Sequence, residues 1–174
     1  REIEDGKRRI GMKNPARDLE QNTLAHQSFL QTVAAVRPGV RVVHAGTRQV
    51  YGAPQCLPVD ESHPVIPVDY NGVHKYATEH YHLLLTRLGK IDAMVLRLTN
   101  IYAPKPAVGL TCQRFLGAFF RRAAQEQPIE VFGDGEQLRD PVYVDDAVDA
   151  FLAAGASENP SHRVVNIGSG VPVS

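Results

Sequence analysis

Three short runs rich in valine and other aliphatic residues, "GVRVVHAG" (39–46), "IDAMVLRLTN" (91–100) and "RVVNIGSG" (163–170), leave this chain few architectures. They are nearly continuous in apolar character rather than alternating, the pattern of strands covered on both faces in a parallel sheet. Parallel neighbours need long crossovers, and segments with helical spacing lie between these runs. Asn14-Pro15 has the form of a cap followed by a first-turn proline. Leu19, Thr23, His26, Leu30 and Val33 then recur at helical spacing until Pro38-Gly39, predicting one amphipathic helix. Asp69 reads as the N-cap of a second helix running to about Leu88, with Gly89 at its C-terminal end. Thr111 is placed to cap a third, with an inward stripe of Phe115, Phe119 and Ala123 and an end near Gln127-Pro128. "IEVFGDGEQLRDPVYV" (129–144) reads as a strand, a Gly-Asp-Gly turn and an extended segment, and "DDAVDAFLAAG" (145–155) as a helix closing at Gly155. The expectation is an α/β fold with a mostly parallel sheet, flanking helices and right-handed crossovers.

With 174 residues, 43% of them hydrophobic, the chain can bury one real core. Nineteen basic residues balance nineteen acidic ones, so no overall field draws it to nucleic acid or to an anionic membrane, and "GKRR" (6–9) is read as a solvated segment. Cys56 and Cys112 form no CxxC, which suits a reducing compartment and supplies neither a disulfide framework nor a metal knuckle. No apolar run approaches the length of a membrane span and the first twenty residues are charged throughout, so a cytoplasmic protein is expected. His74, His80 and His82 crowd one helix, yet 80 and 82 project in different directions, and no metal is expected there. The proline-rich connection 47–69 is long for a compact domain, which marks it as a functional loop, and its apolar content favours order.

Four segments, taken in order, resemble the central half of the extended short-chain dehydrogenase/reductases, the nucleotide-sugar epimerase and dehydratase group. "AGTRQVYG" (45–52) is similar to that family's Ser/Thr-x-x-V-Y-G loop and "NGVHK" (71–75) stands where its Y-x-x-x-K belongs. "LRLTNIYAP" (96–104) is similar to its R-x-x-N-x-Y-G-P, and "FGDGEQLRDPVYVDD" (132–146) to its F-G-D-G-x-Q-x-R-D-F-x-Y-V-D-D. The resemblance implies a Rossmann-like fold, a nucleotide-sugar substrate, and hydride exchange between a sugar carbon and NAD, with NADP as the alternative cofactor. It divides the chain into an irregular lead-in (1–13), the C-terminal part of the dinucleotide-binding domain (14–102) and a partial substrate-binding region with returning Rossmann elements (103–174). It puts Asn22, Lys75 and Leu98 beside the cofactor, makes Thr47 the hydroxyl that assists the reaction, and sets Asn100 and Arg139 on the nucleotide diphosphate. A homodimer packed through the helix after the loop is also implied. No G-x-x-G-x-x-G stretch occurs and Ser174 is placed as a cap without a helix, so the fold is expected to be truncated at both ends and to hold NAD poorly as it stands.

One position departs from the family. Aligned through Gly72 and Lys75, the catalytic tyrosine's place is taken by Asn71, and Tyr70 stands five residues before the lysine rather than four. Four residues carry a helix about 400° round and keep a pair on one face, whereas five carry it about 500°. An amide hydrogen-bonds a hydroxyl but does not take its proton. Four outcomes stay open: Tyr70 swings into the gap from the first turn, His74 or Tyr76 takes the proton, the chemistry needs no phenolate, or the protein binds nucleotides without catalysis. A reductase of a non-sugar carbonyl compound is a further alternative.

Overall fold

The computed structural model describes residues 14–103, 115–131 and 133–174. Helix α1 (Pro15–Leu19) starts where Asn14-Pro15 directs: Oδ1 of Asn14 accepts from the Arg17 amide at 3.0 Å. It passes through a π turn (Glu20–Leu24) into α2 (Ala25–Val36). The single helix expected thus contains one widened turn, and its register changes. Leu19 is left 38% exposed, whereas Asp18 is only 7% exposed and shares the inward face with Thr23, five residues on.

The strands are β1 (Arg41–Thr47), β2 (Asp92–Leu98), the short β3 (Asn100–Tyr102) and β4 (Pro141–Tyr143), and β5 (Val164–Ile167). β1, β2 and β5 form one parallel sheet in the order β1-β2-β5, with Val43 opposite Met94, Thr47 opposite Leu98, and Leu98 opposite Ile167. β3 and β4 make a separate parallel pair. The remaining helices are α3 (Tyr70–Arg87), α4 (Phe115–Ala124) and α5 (Val144–Ala156). On one face of the sheet Leu30 of α2 packs with Ile91, Ala93, Val42 and Leu85; on the other Met94, Leu96 and Leu98 meet Ala150, Phe151 and Ala154 of α5. Cover on both faces is what the continuous apolar runs require.

A buried polar network joins the layers near the C-terminal end of the sheet. Nε and Nη2 of Arg97 donate to the two carboxylate oxygens of Glu79 on α3 at 3.1 and 2.5 Å, and Nη1 donates to the Tyr51 hydroxyl at 2.7 Å. That hydroxyl donates in turn to Oδ1 of Asn166 in β5 at 2.8 Å. The pair is 5% and 2% exposed, so its bidentate geometry offsets a large desolvation cost.

Several expectations need correction. Ile129–Val131 is not a strand: Ile129 and Val131 are exposed, and no ladder partner stands beside them among the described residues. The Gly-Asp-Gly turn does form, with Gly133 and Gly135 at positive φ. α4 ends at Ala124, before Gln127-Pro128, and Ala123 faces out while Phe119 is half-buried. The side chain of Phe115, and Thr111 and Cys112, lie outside the described residues. α5 runs through Gly155 to Ala156. No helix among the described residues is long and apolar enough to cross a membrane.

Candidate active site

The site is built where β1 ends. Thr47 is extended, and its Oγ1 accepts from the Gln49 amide at 3.2 Å, capping a 3-10 turn over Arg48–Tyr51. This is the loop-supporting role open to any threonine at a strand end, and it leaves the hydroxyl proton available for donation. The connection beyond it is ordered. His63 is buried, takes the Gln55 amide on Nε2 at 2.9 Å and edges against the Tyr51 ring. Gly52 has φ +69, and a Cβ there would strike the Ile66 carbonyl, so only glycine allows the two arms of this loop to close.

α3 begins as Asp69 dictates, with its Oδ1 accepting from the Gly72 amide at 2.7 Å. A Cβ on Gly72 would lie 3.0 Å from the Gln49 carbonyl oxygen and from Pro67, so the glycine lets the start of α3 press against the turn after Thr47. Asn71, His74, Lys75, Thr78 and His82 follow at spacings of three and four on one stripe of the helix.

The centre of that stripe is a residue that sequence reasoning missed. The buried Asp18 carboxylate receives Nδ2 of Asn22 at 3.1 Å and Nδ2 of Asn71 at 3.3 Å on one oxygen, and Nδ1 of His74 at 2.6 Å on the other. Asn71 is therefore spent, in part, on orienting this carboxylate. Thr23 donates to the His74 carbonyl at 3.2 Å, and the single Thr78 hydroxyl proton is shared between the carbonyls of Asn22 and His74, which locks the π turn onto α3. An acid four residues before Asn22 was the available signal.

Lys75 is half-buried. Burial pushes its ammonium below the usual lysine range, and the Asp18 carboxylate partly restores it. It borders a cavity of about 500 Å³ that opens between α2, β1 and α3, shared with His26, His44 and His82. His44 is held down at about 3, chiefly by burial and then by His82, His26 and Lys75; His26 and His82 are lowered, mainly by burial as well. Of the three histidines of α3, His74 is thus bonded to Asp18, His80 lies outside against Tyr76, and His82 is buried with two histidines from other elements.

The other candidates separate. Tyr70 is 47% exposed in the first turn of α3, its ring 6.2 Å from that of His74, and it makes no hydrogen bond to Lys75 among the described residues. Leu98 points to the α5 side of the sheet, opposite the face that carries α3. Asn100 takes Nη2 of Arg48 on its Oδ1 at 3.4 Å, and its amide donates to the Asp140 carbonyl at 3.2 Å. Arg139 donates to Oε1 of Gln137 at 2.6 Å and to the Leu138 carbonyl at 2.8 Å, while its backbone pairs with Val173. Asp140 also anchors the 168–170 turn by accepting from the amide and hydroxyl of Ser169. Asn100 and Arg139 thus flank a single β3–β4 junction, apart from the Asp18 centre.

Residues 6–168 match the NAD dependent epimerase/dehydratase family. The chain is 34% identical over 147 residues to the UDP-glucose 4-epimerase of Mycolicibacterium smegmatis, a match that covers 81% of this chain and 45% of that protein. Its fold follows that of the Thermotoga maritima UDP-glucose 4-epimerase solved with UDP-glucose, at a TM-score of 0.84 and 30% identity over 94% of this chain and 52% of the other. MoeE5, solved with UDP-glucuronic acid and NAD, gives a TM-score of 0.84 at 29% identity over 95% and 54%. The chain spans about half the length of the curated relatives it matches, and its mostly parallel sheet is the Rossmann-like arrangement of these neighbours. With a match running through all five strands to Gly168, the chain belongs to the NAD-dependent epimerase/dehydratase family.

Proposed function

We propose that this chain carries the catalytic segment of an NAD-dependent epimerase or dehydratase acting on a nucleoside-diphosphate sugar, with Asn71 in the place of the proton-transferring tyrosine. The observation that carries the reading is the Asp18 centre: beside the amide at position 71 and the half-buried Lys75 lies an ionisable pair, His74 bonded through Nδ1 to a buried carboxylate at 2.6 Å. A half-buried ammonium suits the hydroxyls of a cofactor ribose, and Lys75 with Asn22, both beside Asp18, would hold NAD. Bound there, NAD would supply the hydride acceptor for the sugar carbon.

The chain's own residues manage the proton. With Nδ1–H given to Asp18, the His74 imidazole keeps its lone pair on Nε2 and can accept the hydroxyl proton of the sugar, while Asp18 stabilises the cation that results. Lys75 sets the field around the reacting hydroxyl, and Thr47 donates its hydroxyl proton to the sugar oxygen. Asn100 and Arg139, at their shared junction, supply an amide and a planar cation suited to diphosphate oxygens. Ala77, Tyr81 and Leu84 on the outer side of α3 are the face through which we expect two copies to pair.

The test is reduction of bound NAD⁺ by a panel of nucleoside-diphosphate sugars in the full-length protein, as wild type, His74→Gln and Asn71→Tyr. His74→Gln should lower turnover by about 10²–10⁴-fold, the ordinary worth of general acid–base assistance, and Asn71→Tyr in that background should recover much of it. Nucleotide binding without reduction by any sugar would leave a non-catalytic binding protein as the reading.

A further inference from the structure

We propose that His26 of α2, His44 of β1 and His82 of α3 form a three-nitrogen site for a divalent transition-metal ion of the zinc type. One ligand nitrogen from each comes within 4.8 Å of the other two. The ring separations suit a common ion, which His44 and His82, stacked with 28° between their planes, would reach by turning their rings about χ2. With Zn–N bonds of about 2.0–2.1 Å and a tetrahedral angle, the centroids of two imidazoles on one ion stand about 5.2 Å apart. The three separations here are 4.3, 5.2 and 6.0 Å, centred on that value.

Two further details favour ligation over simple ring packing. Nδ1 of His82 is hydrogen-bonded to the Thr78 carbonyl at 2.8 Å, so the proton lies on Nδ1 and the lone pair on Nε2. Metal-bound histidines are held in their ligating tautomer by this kind of outer carbonyl contact. His44 is 3% exposed, yet its Nε2 has no hydrogen-bond partner among the described residues, an arrangement that a shared ion would satisfy. An all-imidazole donor set selects zinc, cobalt or nickel over magnesium or calcium, which require oxygen ligands.

The surroundings define the fourth position. The trio faces the cavity between α2, β1 and α3, whose other walls include Phe29 and Val42, and among the described residues no carboxylate lines it. Lys75 borders the same cavity, and its ammonium opposes a dication and favours an anionic fourth ligand such as hydroxide or chloride. Glu79, the acid next along α3, acts on His82 but is committed to Arg97. Ligand-bearing elements come from three separate parts of the chain, so an ion there would clamp α2 and α3 to the sheet edge.

The experiment is titration of metal-stripped protein with Zn²⁺ by calorimetry and with Co²⁺ by visible absorption. Wild type should take up one equivalent and give the intense d–d bands of tetrahedral cobalt. His26→Ala, at a half-exposed position that tolerates truncation, should weaken binding at least tenfold; His82→Phe should abolish it; and His80→Ala, on the outside of the same helix, should leave it unchanged. Absence of stoichiometric uptake by wild type, or equal affinity in His26→Ala and wild type, overturns the site and assigns any uptake to adventitious surface histidines. Should His82→Phe fail to fold, the comparison of His26→Ala with His80→Ala decides alone.

Discussion

Asp18 holds three side-chain donors from two helices on a carboxylate that is 7% exposed. Deleting it strands Asn22, Asn71 and His74 together, whereas deleting Asn71 frees one donor. Asp18→Ala should therefore cost about 2–5 kcal/mol and Asn71→Ala about 1 kcal/mol, read as shifts of the urea midpoint. Equal shifts would show that the carboxylate is not the organising group. The Asp69 cap was legible because it follows from local chemistry, a carboxylate before a helix, whereas Thr47 and Lys75 were singled out by resemblance to a family motif. Asp18 was hidden by the π turn. A count at 3.6 residues per turn assigns Leu19 to the buried stripe, and the one extra residue in the turn replaces it with Asp18.

Three elements meet at the histidine trio, and burial there makes stability depend on pH. An unfolded histidine titrates at 6.5, whereas His44 in the fold is held at about 3. Above 6.5 it is neutral in both states and contributes no pH dependence. As pH falls from 6.5 toward 3 the unfolded chain takes up a proton that the fold refuses, so stability is lost across that window, by up to about 1.4 kcal/mol per pH unit from this group. His26 and His82 are shifted in the same direction and add to the loss. Thermal unfolding of metal-free protein between pH 7 and 4 should show a steep decline that His44→Phe makes shallower; an unchanged slope in the variant would remove His44 as the cause. The strands that frame the trio could be read from their valine-rich runs because burial on both faces leaves a compositional mark. The trio could not, since its members are brought together only by the β1–α3–β2 crossover and by α2 folding back on it. The Ile-Glu-Val run at 129–131 misled for the converse reason: its alternation suits a strand, but no neighbour among the described residues supplies the ladder.

For the molecule as a whole, the outer side of α3, which meets no other element among the described residues, is the surface that the proposed dimer would use. Ala77, His80, Tyr81, Leu84 and Arg87 line a shallow hollow of about 300 Å³ there, and Tyr81 and Leu84 are 37% and 42% exposed while the opposite side of the same helix carries Thr78, Glu79 and His82 at 2% or less. A helix with its polar side already buried in its own fold and with Tyr81 and Leu84 exposed on the other is suited to pack against a copy of itself about a two-fold axis. Such a pairing would hold the inner stripe of α3, with Asn71, His74 and Lys75, from behind, and would couple assembly to the geometry of the site. Placing a carboxylate at the centre of the interface sets two like charges against each other across the axis. Tyr81→Glu should therefore shift the protein from dimer to monomer in sedimentation velocity and lower turnover without altering the urea midpoint of the monomer by more than about 0.5 kcal/mol, the usual limit for an exposed position. A wild type that sediments as a monomer at micromolar concentration, or a Tyr81→Glu variant that remains dimeric, would move the contact to another face.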